Sequence, residues 1–416
     1  MIQPTLKERD ILRGLAAEVA RVAALPVQEE KRRLWRRLNS LDPVRPMVMV
    51  DQVCWNELLA DEALKCLCAD HECWMYEWYL RSTLYQWRHF PVDRVVEPFI
   101  SVPKAVHNSG FGVQTKEDIA VSDPTNGVVG HFYHNVFETD ADLEKIQTPR
   151  LTHDANESAR RMDAAHEIFD GVIEVRQTGW SPAYVSLWDP ISYWMSVDDA
   201  LLAMVDRPEY VHEICRRMTN GYLAVTEQAE AENLLCGPQA LIHCTGGHTD
   251  ELPARGANPN HWRAKDLWCV SQAQMFSTVS PAMFDEFEVA YMIPLAERFG
   301  MMYYGCCDPL DLKMAQVRKI PKVRKVSMSP WVDEVRGARE IGKDYVYSRK
   351  PSPAFLCTDV FHEDQVRADL QKTVDICRDH GCPCELILKD ISTIRYDPPR
   401  LARWAQIAME IVEKEG

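Results

Sequence analysis

The sequence predicts an α/β protein, a (β/α)8 TIM barrel with an N-terminal helical extension. Three observations carry this. Short apolar runs alternate with longer helical patterns from Pro46 onward, about eight such units fit the chain, and no repeat or low-complexity linker divides its 416 residues. The expected division is residues 1–45, the extension, and residues 46–416, the barrel.

The extension comes first. Thr5 with Glu8 is a capping-box pattern, and Ile11, Leu15, Val19 and Val22 form a stripe at helical spacing. Pro26 is expected to end this helix, with a second, Arg-rich one running to about Leu41. Candidate strands then follow at 47–53, 171–177, 183–188, 240–244, 266–270, 301–306, 323–328, 344–348 and 384–388. Ser280-Pro281 is an N-cap followed by proline at the first helical position, and Gly300 closes that helix. Asp397-Pro398 opens the last one, with Leu401, Trp404, Ala408 and Ile411 on its inner face.

Composition narrows the function. With 46% hydrophobic and 26% charged residues the chain is an ordinary globular protein. It has no apolar run of membrane-spanning length and no secretory signal core, so a cytoplasmic location is expected, without a membrane partner. Lys plus Arg number 47 against 62 Asp plus Glu, a net charge of −15, which disfavours nucleic acid as a partner. In a reducing compartment the fourteen cysteines are buried thiols or metal ligands, not a disulfide framework.

In a barrel, chemistry sits at the carboxyl ends of the strands. Cys306 and Cys307 are the sharpest candidates there. Neighbours in a strand point to opposite faces, so both can serve one centre only if the strand has already ended, which Gly305 and Pro309 allow. Asp308 reads as a helix cap before Pro309. His243-Cys244, with His248 and Asp250 beyond, forms a second cluster, and Gly246-Gly247 permits close approach. The Cys66, Cys68, His71, Cys73 run reads as helical, a context in which the four cannot converge on one ion. Asp51, Trp188, Gln274, Trp331, Lys350 and Lys389 fall at strand ends and, with His248, are the expected substrate-binding residues. Lys350 and Lys389 would meet a carboxylate or phenolate, and the tryptophans suit a flat apolar ligand.

The segment Ser280-Pro281-Ala282-Met283-Phe284-Asp285-Glu286-Phe287, then Pro294 and a strand ending Tyr-Gly-Cys-Cys, resembles the uroporphyrinogen decarboxylase superfamily. So do Glu138 to Glu144 with Pro149 and the closing Asp397-Pro398 helix, and the resemblance spans roughly residues 45–415. The arginine-rich motif of the haem-pathway decarboxylase is missing: Arg45 to Trp55 reads RPMVMVDQVCW. An eight-carboxylate substrate demands arginines, so that activity is argued against.

The sequence is instead similar to a divergent subgroup, the corrinoid-dependent methyltransferases that demethylate methoxylated aromatics. The resemblance implies methyl transfer from a small methoxylated, aromatic compound to the cobalt of a separate corrinoid protein, as in anaerobic one-carbon metabolism. This chain has no Asp-x-His-x-x-Gly cobalamin signature of its own. Tyr304 stands where the family places a zinc-binding His, Cys306 matches the family's first Cys, and Asp390 or Ile391 replaces the later one. The zinc expectation therefore falls on His243, Cys306 and Cys307, with Tyr304 or Asp390 supplying the proton. The alternatives are a metal-free decarboxylase or lyase of a small aromatic acid, with Asp51 or Asp390 as donor, and a non-catalytic binding protein.

Overall fold

The computed structural model describes residues 4–125 and 127–416. Thr5 caps α1 (Leu6–Ala23) through the expected box: its hydroxyl accepts from the Glu8 amide at 3.2 Å, and Glu8 Oε2 accepts from the Thr5 amide at 2.9 Å. The first helix stops just short of Pro26, as expected, and Pro26 itself opens the second. α2 spans Pro26–Asn39 with proline at its first position, where no amide donor is needed. Leu12, Ala16 and Val19 of α1 bury against α3 (His71–His89) and α4 (Ala155–Phe169), sharing a core with Leu80, Ile168 and Phe169.

The strands among the described residues are, in chain order, β1 (Met47–Val50), β2 (Phe99–Pro103), β3 (Ala105–Asn108), β4 (Lys116–Ala120), β5 (Gly130–His134), β6 (Leu151–Asp154), β7 (Glu174–Thr178), β8 (Leu241–Ile242), β9 (Thr245–Gly246), β10 (Trp268–Ser271), β11 (Met301–Tyr304), β12 (Val323–Met328), β13 (Val346–Arg349) and β14 (Cys384–Leu388). Six of them form one parallel sheet in the order β1-β14-β13-β12-β11-β10. A parallel bridge from Tyr184 to Val270 adds a short segment beside β10. β2 and β7 make a separate parallel pair, while β3–β6, β4–β5 and β8–β9 are antiparallel. The parallel α/β architecture is present, but the ladders among the described residues do not close into an eight-stranded ring. The expected strand at 183–188 gives way at Trp188 to α5 (Trp188–Met195).

Alternation along the sheet separates two cores. Val48, Val50, Tyr304, Val326, Met328, Tyr347, Leu386 and Leu388 face the helix layer. Met47, Met49, Val346 and Ile387 face the other way, where Leu34, Trp35 and Leu38 of α2 cover them. Helix α2 thus stands at the amino ends of the strands, and the opposite, carboxyl ends stay open for a site. Among the described residues no helix is long and apolar enough to cross a membrane.

Candidate active site

The site is assembled on a hairpin that rises inside the curve of the sheet. β8 and β9 pair Ile242 with Thr245, leaving His243 and Cys244 as a two-residue turn. Both turn residues have positive φ, 34° and 68°, the requirement of primed hairpin turns that Asn-Gly normally meets. A β-branch-free but non-glycine pair there is strained, by about 1 kcal/mol or more per residue, and strain of this kind persists only where surroundings enforce it.

The enforcement is a buried ion pair at the hairpin's stem. Lys325 Nζ lies 2.7 Å from Glu385 Oε2, both side chains being 0% exposed, and also donates to Thr245 Oγ1 and to the Gly246 carbonyl, each at 3.1 Å. Thr245 Oγ1 donates to Glu385 at 2.8 Å. Trp35 packs so closely that a Cβ on Gly246 would lie 2.4 Å from its ring, which explains the glycine. The stem is therefore pinned from β12, β14 and α2, and its tip is held toward the carboxyl ends.

At the tip, His243 Nδ1 is 2.8 Å from the Tyr184 hydroxyl, and its ring lies 4.8 Å from that of Tyr303. Its Nε2 is buried without a hydrogen-bond partner among the described residues, yet the ring is near enough to Cys306 to shift that thiol's titration. Cys306 and Cys307 follow a strand that ends at Tyr304. Gly305 has φ 93°, where a Cβ would also meet Leu310 at 2.5 Å, and this turn frees both thiols from strand alternation, as the sequence required. The two sulfurs are 3.6 Å apart. Ser327 Oγ donates to the Cys306 carbonyl at 2.8 Å, and Lys389 Nζ donates to Cys306 Sγ at 3.3 Å. Asp390 Oδ2 in turn lies 2.8 Å from Lys389 Nζ.

These contacts polarise the group. The Cys307 thiol, the His243 ring and the Lys389 ammonium stabilise a thiolate on Cys306 and hold its pKa far below the usual thiol range, against the opposing effect of burial. Cys307 moves the opposite way, because it is the donor in that pair. Burial lowers the pKa of His243, so its imidazole is neutral near pH 7. Burial also presses on Lys389, but Cys306 and Asp390 outweigh it and raise its pKa, keeping the ammonium charged. Lys350, 5.0 Å from the Tyr303 ring and donating to Ser348 Oγ at 3.3 Å, is lowered by burial.

The structure brings together His243, Cys306, Cys307, Lys350, Lys389, Asp390 and Asp51. The last lies beside Cys244 and pairs with Arg94 at 3.1 Å. It places five expected residues elsewhere. Tyr304 points to the helix layer and donates to Glu288 Oε1 at 2.9 Å, away from the thiols. Trp188 is buried at the start of α5 against Phe276, with ring centroids 4.3 Å apart. Gln274 donates to Asp189 at 3.0 Å. His248 lies where the chain returns toward α2, 3.2 Å from Glu97. Trp331 is 75% exposed on the loop after β12. Asp308 is no helix cap: it is buried, and its Oδ1 accepts from the Cys306 amide at 3.3 Å. Its carboxyl is raised by burial to about 6. Cys66 and Cys68 precede α3 in extended backbone, not in the expected helix, and burial raises both Cys68 and Cys73. Sequence reading missed Tyr184, which follows no motif, and the Lys325–Glu385 pair, which lies in runs that otherwise look like plain core.

The donor chemistry at the tip suits zinc in two respects. Nε2 of His243 is a buried, neutral, unpartnered nitrogen, and two thiolates on one tetrahedral zinc sit about 3.8 Å apart for Zn–S bonds of about 2.3 Å, close to the sulfur spacing here. In a third respect it falls short: among the described residues no three His, Cys, Asp or Glu side chains are disposed as a metal-holding group.

No protein-family model matches the chain, and no curated protein matches it in sequence. Among solved structures it is similar to a methyltransferase from Methanosarcina mazei, at 9% identity and a TM-score of 0.48, over 91% of this chain and 98% of that one. A likeness of that depth carries no conclusion about activity.

Proposed function

We propose that the chain is a corrinoid-dependent methyltransferase that removes the methyl group of a small methoxylated aromatic compound and passes it to the cobalt of a separate corrinoid protein. The observation that supports this best is the buried Cys306 thiolate, flanked by Cys307, His243 and a charged Lys389 at the open ends of the strands. Ether cleavage releases an aryloxide whose conjugate acid has a pKa near 10, comparable with tyrosine. The residues of this chain have to hold that oxygen while a proton returns to it. Lys389 is the cation in reach of the thiol pair, with Asp390 orienting its ammonium; its raised pKa suits it to hold the aryloxide by a charge-assisted hydrogen bond while the proton is drawn from solvent, and the Tyr184 hydroxyl stands at the same place. Zinc on His243 Nε2, Cys306 and Cys307 is part of the proposal and would act there as a Lewis acid on the ether oxygen. Lys350 adds a second buried amine that a ring carboxylate or phenolate could pair with.

The test combines purified chain, a reduced corrinoid protein and a panel of methoxyaromatics, with methyl–cobalt absorbance as readout. Silence across the panel rejects the proposal. Zinc content is measured in parallel: loss of bound zinc in Cys306→Ser supports the ligand assignment, and wild-type protein without zinc rejects it. A second reading is favoured by Lys350 and Lys389 together, which could hold a carboxylate for metal-free decarboxylation. Carbon dioxide release from a methoxybenzoate, without methyl transfer, would select it.

A further inference from the structure

Next to the thiol site, and sharing Asp390 with it, a cleft of about 570 Å³ opens. Its inner wall is the Gln52–Asn56 loop after β1 together with Asp390 and Ile391, and its outer wall is Gly127 and Val128 at the tip of the β4–β5 arm. The volume lies in the range of small-molecule sites.

Four features make this a built site. The arm is tied over the mouth, because Asp123 Oδ2 accepts from the Tyr396 hydroxyl at 3.4 Å while Asp123 Oδ1 shapes the tip by accepting from the Thr125 amide at 2.8 Å. Trp55 is backed rigidly by Trp78 and Tyr85, edge-on at 5.4 and 6.1 Å. Asn56, a residue of the cleft wall, has its Nδ2 buried and without a hydrogen-bond partner among the described residues. Finally, Gln52 and Asp390 both hold left-handed backbone, φ 47° and 55°, and bond to each other, with Gln52 Oε1 accepting from the Asp390 amide at 3.2 Å. Two strained residues locked together at the ends of β1 and β14 aim the loop that carries Asp390. From there the hydrogen bonds run on through Lys389 to Cys306.

We propose that this cleft is the substrate subsite and takes a flat, single-ring aryl ether. The ring lies between Val53 and Trp55 on one side and Val128 on the other. An oxygen of a second ring substituent accepts from Asn56 Nδ2, and the ether oxygen points toward Lys389. The β4–β5 arm is thereby the specificity element, since changes at Gly127 and Val128 reshape a wall of the cleft without touching the thiols. The inference rests on the proposed methyl transfer for its choice of ligand class.

The test is calorimetric binding of 2-methoxyphenol, methoxybenzene and 3-methoxybenzoate to the full chain, without any corrinoid protein. Saturable binding of at least one to wild type is expected. Val128→Trp, at an exposed arm position, should weaken it tenfold or more by filling the cleft, and Asn56→Leu should weaken 2-methoxyphenol and 3-methoxybenzoate, which carry a second oxygen, several-fold more than methoxybenzene. The Cys306 alkylation rate by iodoacetamide, read in parallel, should stay unchanged in both variants and reports that the mouth is intact. No saturable binding of any probe overturns the ligand class, and undiminished binding to Val128→Trp overturns the location. Binding that both variants weaken, with no methyl transfer by wild type, leaves the subsite standing and removes the methyltransferase reading. Methyl transfer by wild type with an unaltered KM in Val128→Trp does the reverse.

Discussion

Replacing Lys325 with methionine should be among the most damaging single changes in the molecule. Its ammonium touches Glu385 Oε2 at 2.7 Å, Thr245 Oγ1 at 3.1 Å and the Gly246 carbonyl at 3.1 Å, and neither charged side chain is exposed at all. Methionine leaves the Glu385 carboxylate buried with only the Thr245 hydroxyl as donor, while Oε1 already has no partner. Breaking one side of such a pair costs about 3–5 kcal/mol, and the lost bond to Gly246 adds about 1. Against a total stability of roughly 5–15 kcal/mol this is a large fraction. At an m-value of about 3 kcal/mol/M in urea the midpoint falls by about 1 M or more. The double variant Lys325→Met/Glu385→Leu removes both charges and should recover most of the loss, because an apolar pair is often neutral or better than a buried ion pair. Equilibrium urea unfolding of the two single variants and the double gives the cycle. A loss below 1 kcal/mol in Lys325→Met, or single losses that simply add in the double, would refute the reasoning.

Three further outcomes follow from the same geometry. Cys306 should react with iodoacetamide at a rate that stays flat from pH 8 down to pH 6, where an ordinary thiol is protonated, and His243→Ala or Lys389→Met should restore a pH-dependent rate, measured by mass spectrometry of the 306–307 peptide. Burial raises the Glu288 carboxyl to about 8, so the native state keeps a proton that the unfolded chain releases near 4.5. Stability from this group is full below pH 4.5 and is lost as pH rises through 8, on the order of 4–5 kcal/mol, and Glu288→Gln should flatten that limb in urea titrations between pH 5 and 9. Reversing Arg33, Arg36 and Arg37 to Glu should leave turnover with a corrinoid protein unchanged at low and high salt, because these arginines are already paired with Glu30, Glu29 and Asp42 and none of them touches the thiol site.

Much of the frame was legible because buried parallel strands are continuous apolar runs: 323–328 and 384–388 were expected and observed with the same bounds. The thiol loop was legible through Gly305, whose positive φ ends β11 before the cysteines. His243 was expected at a strand end and is found on a hairpin tip. A His-Cys pair carries no turn signal, and its conformation is imposed by Lys325, Glu385 and Trp35 from distant parts of the chain. Trp188 misled because an aromatic residue after an apolar run looks like a strand end, whereas a helix starts there. The β4–β5 arm was missed because its strands are exposed on nearly every residue and lack alternation. Its cleft is made by loops that meet only in the fold.

Methyl transfer at the Cys306 centre is the proposed activity. The most direct measurement is methyl–cobalt formation from a methoxyaromatic and a reduced corrinoid protein, compared between wild type and Cys306→Ser at matched thermal stability. Methyl–cobalt absorbance is expected with wild type, and a loss of at least a hundredfold in rate with Cys306→Ser, the melting temperature shifting by only a few degrees. Equal rates in the two proteins, or a lowered melting temperature with full activity, would contradict it.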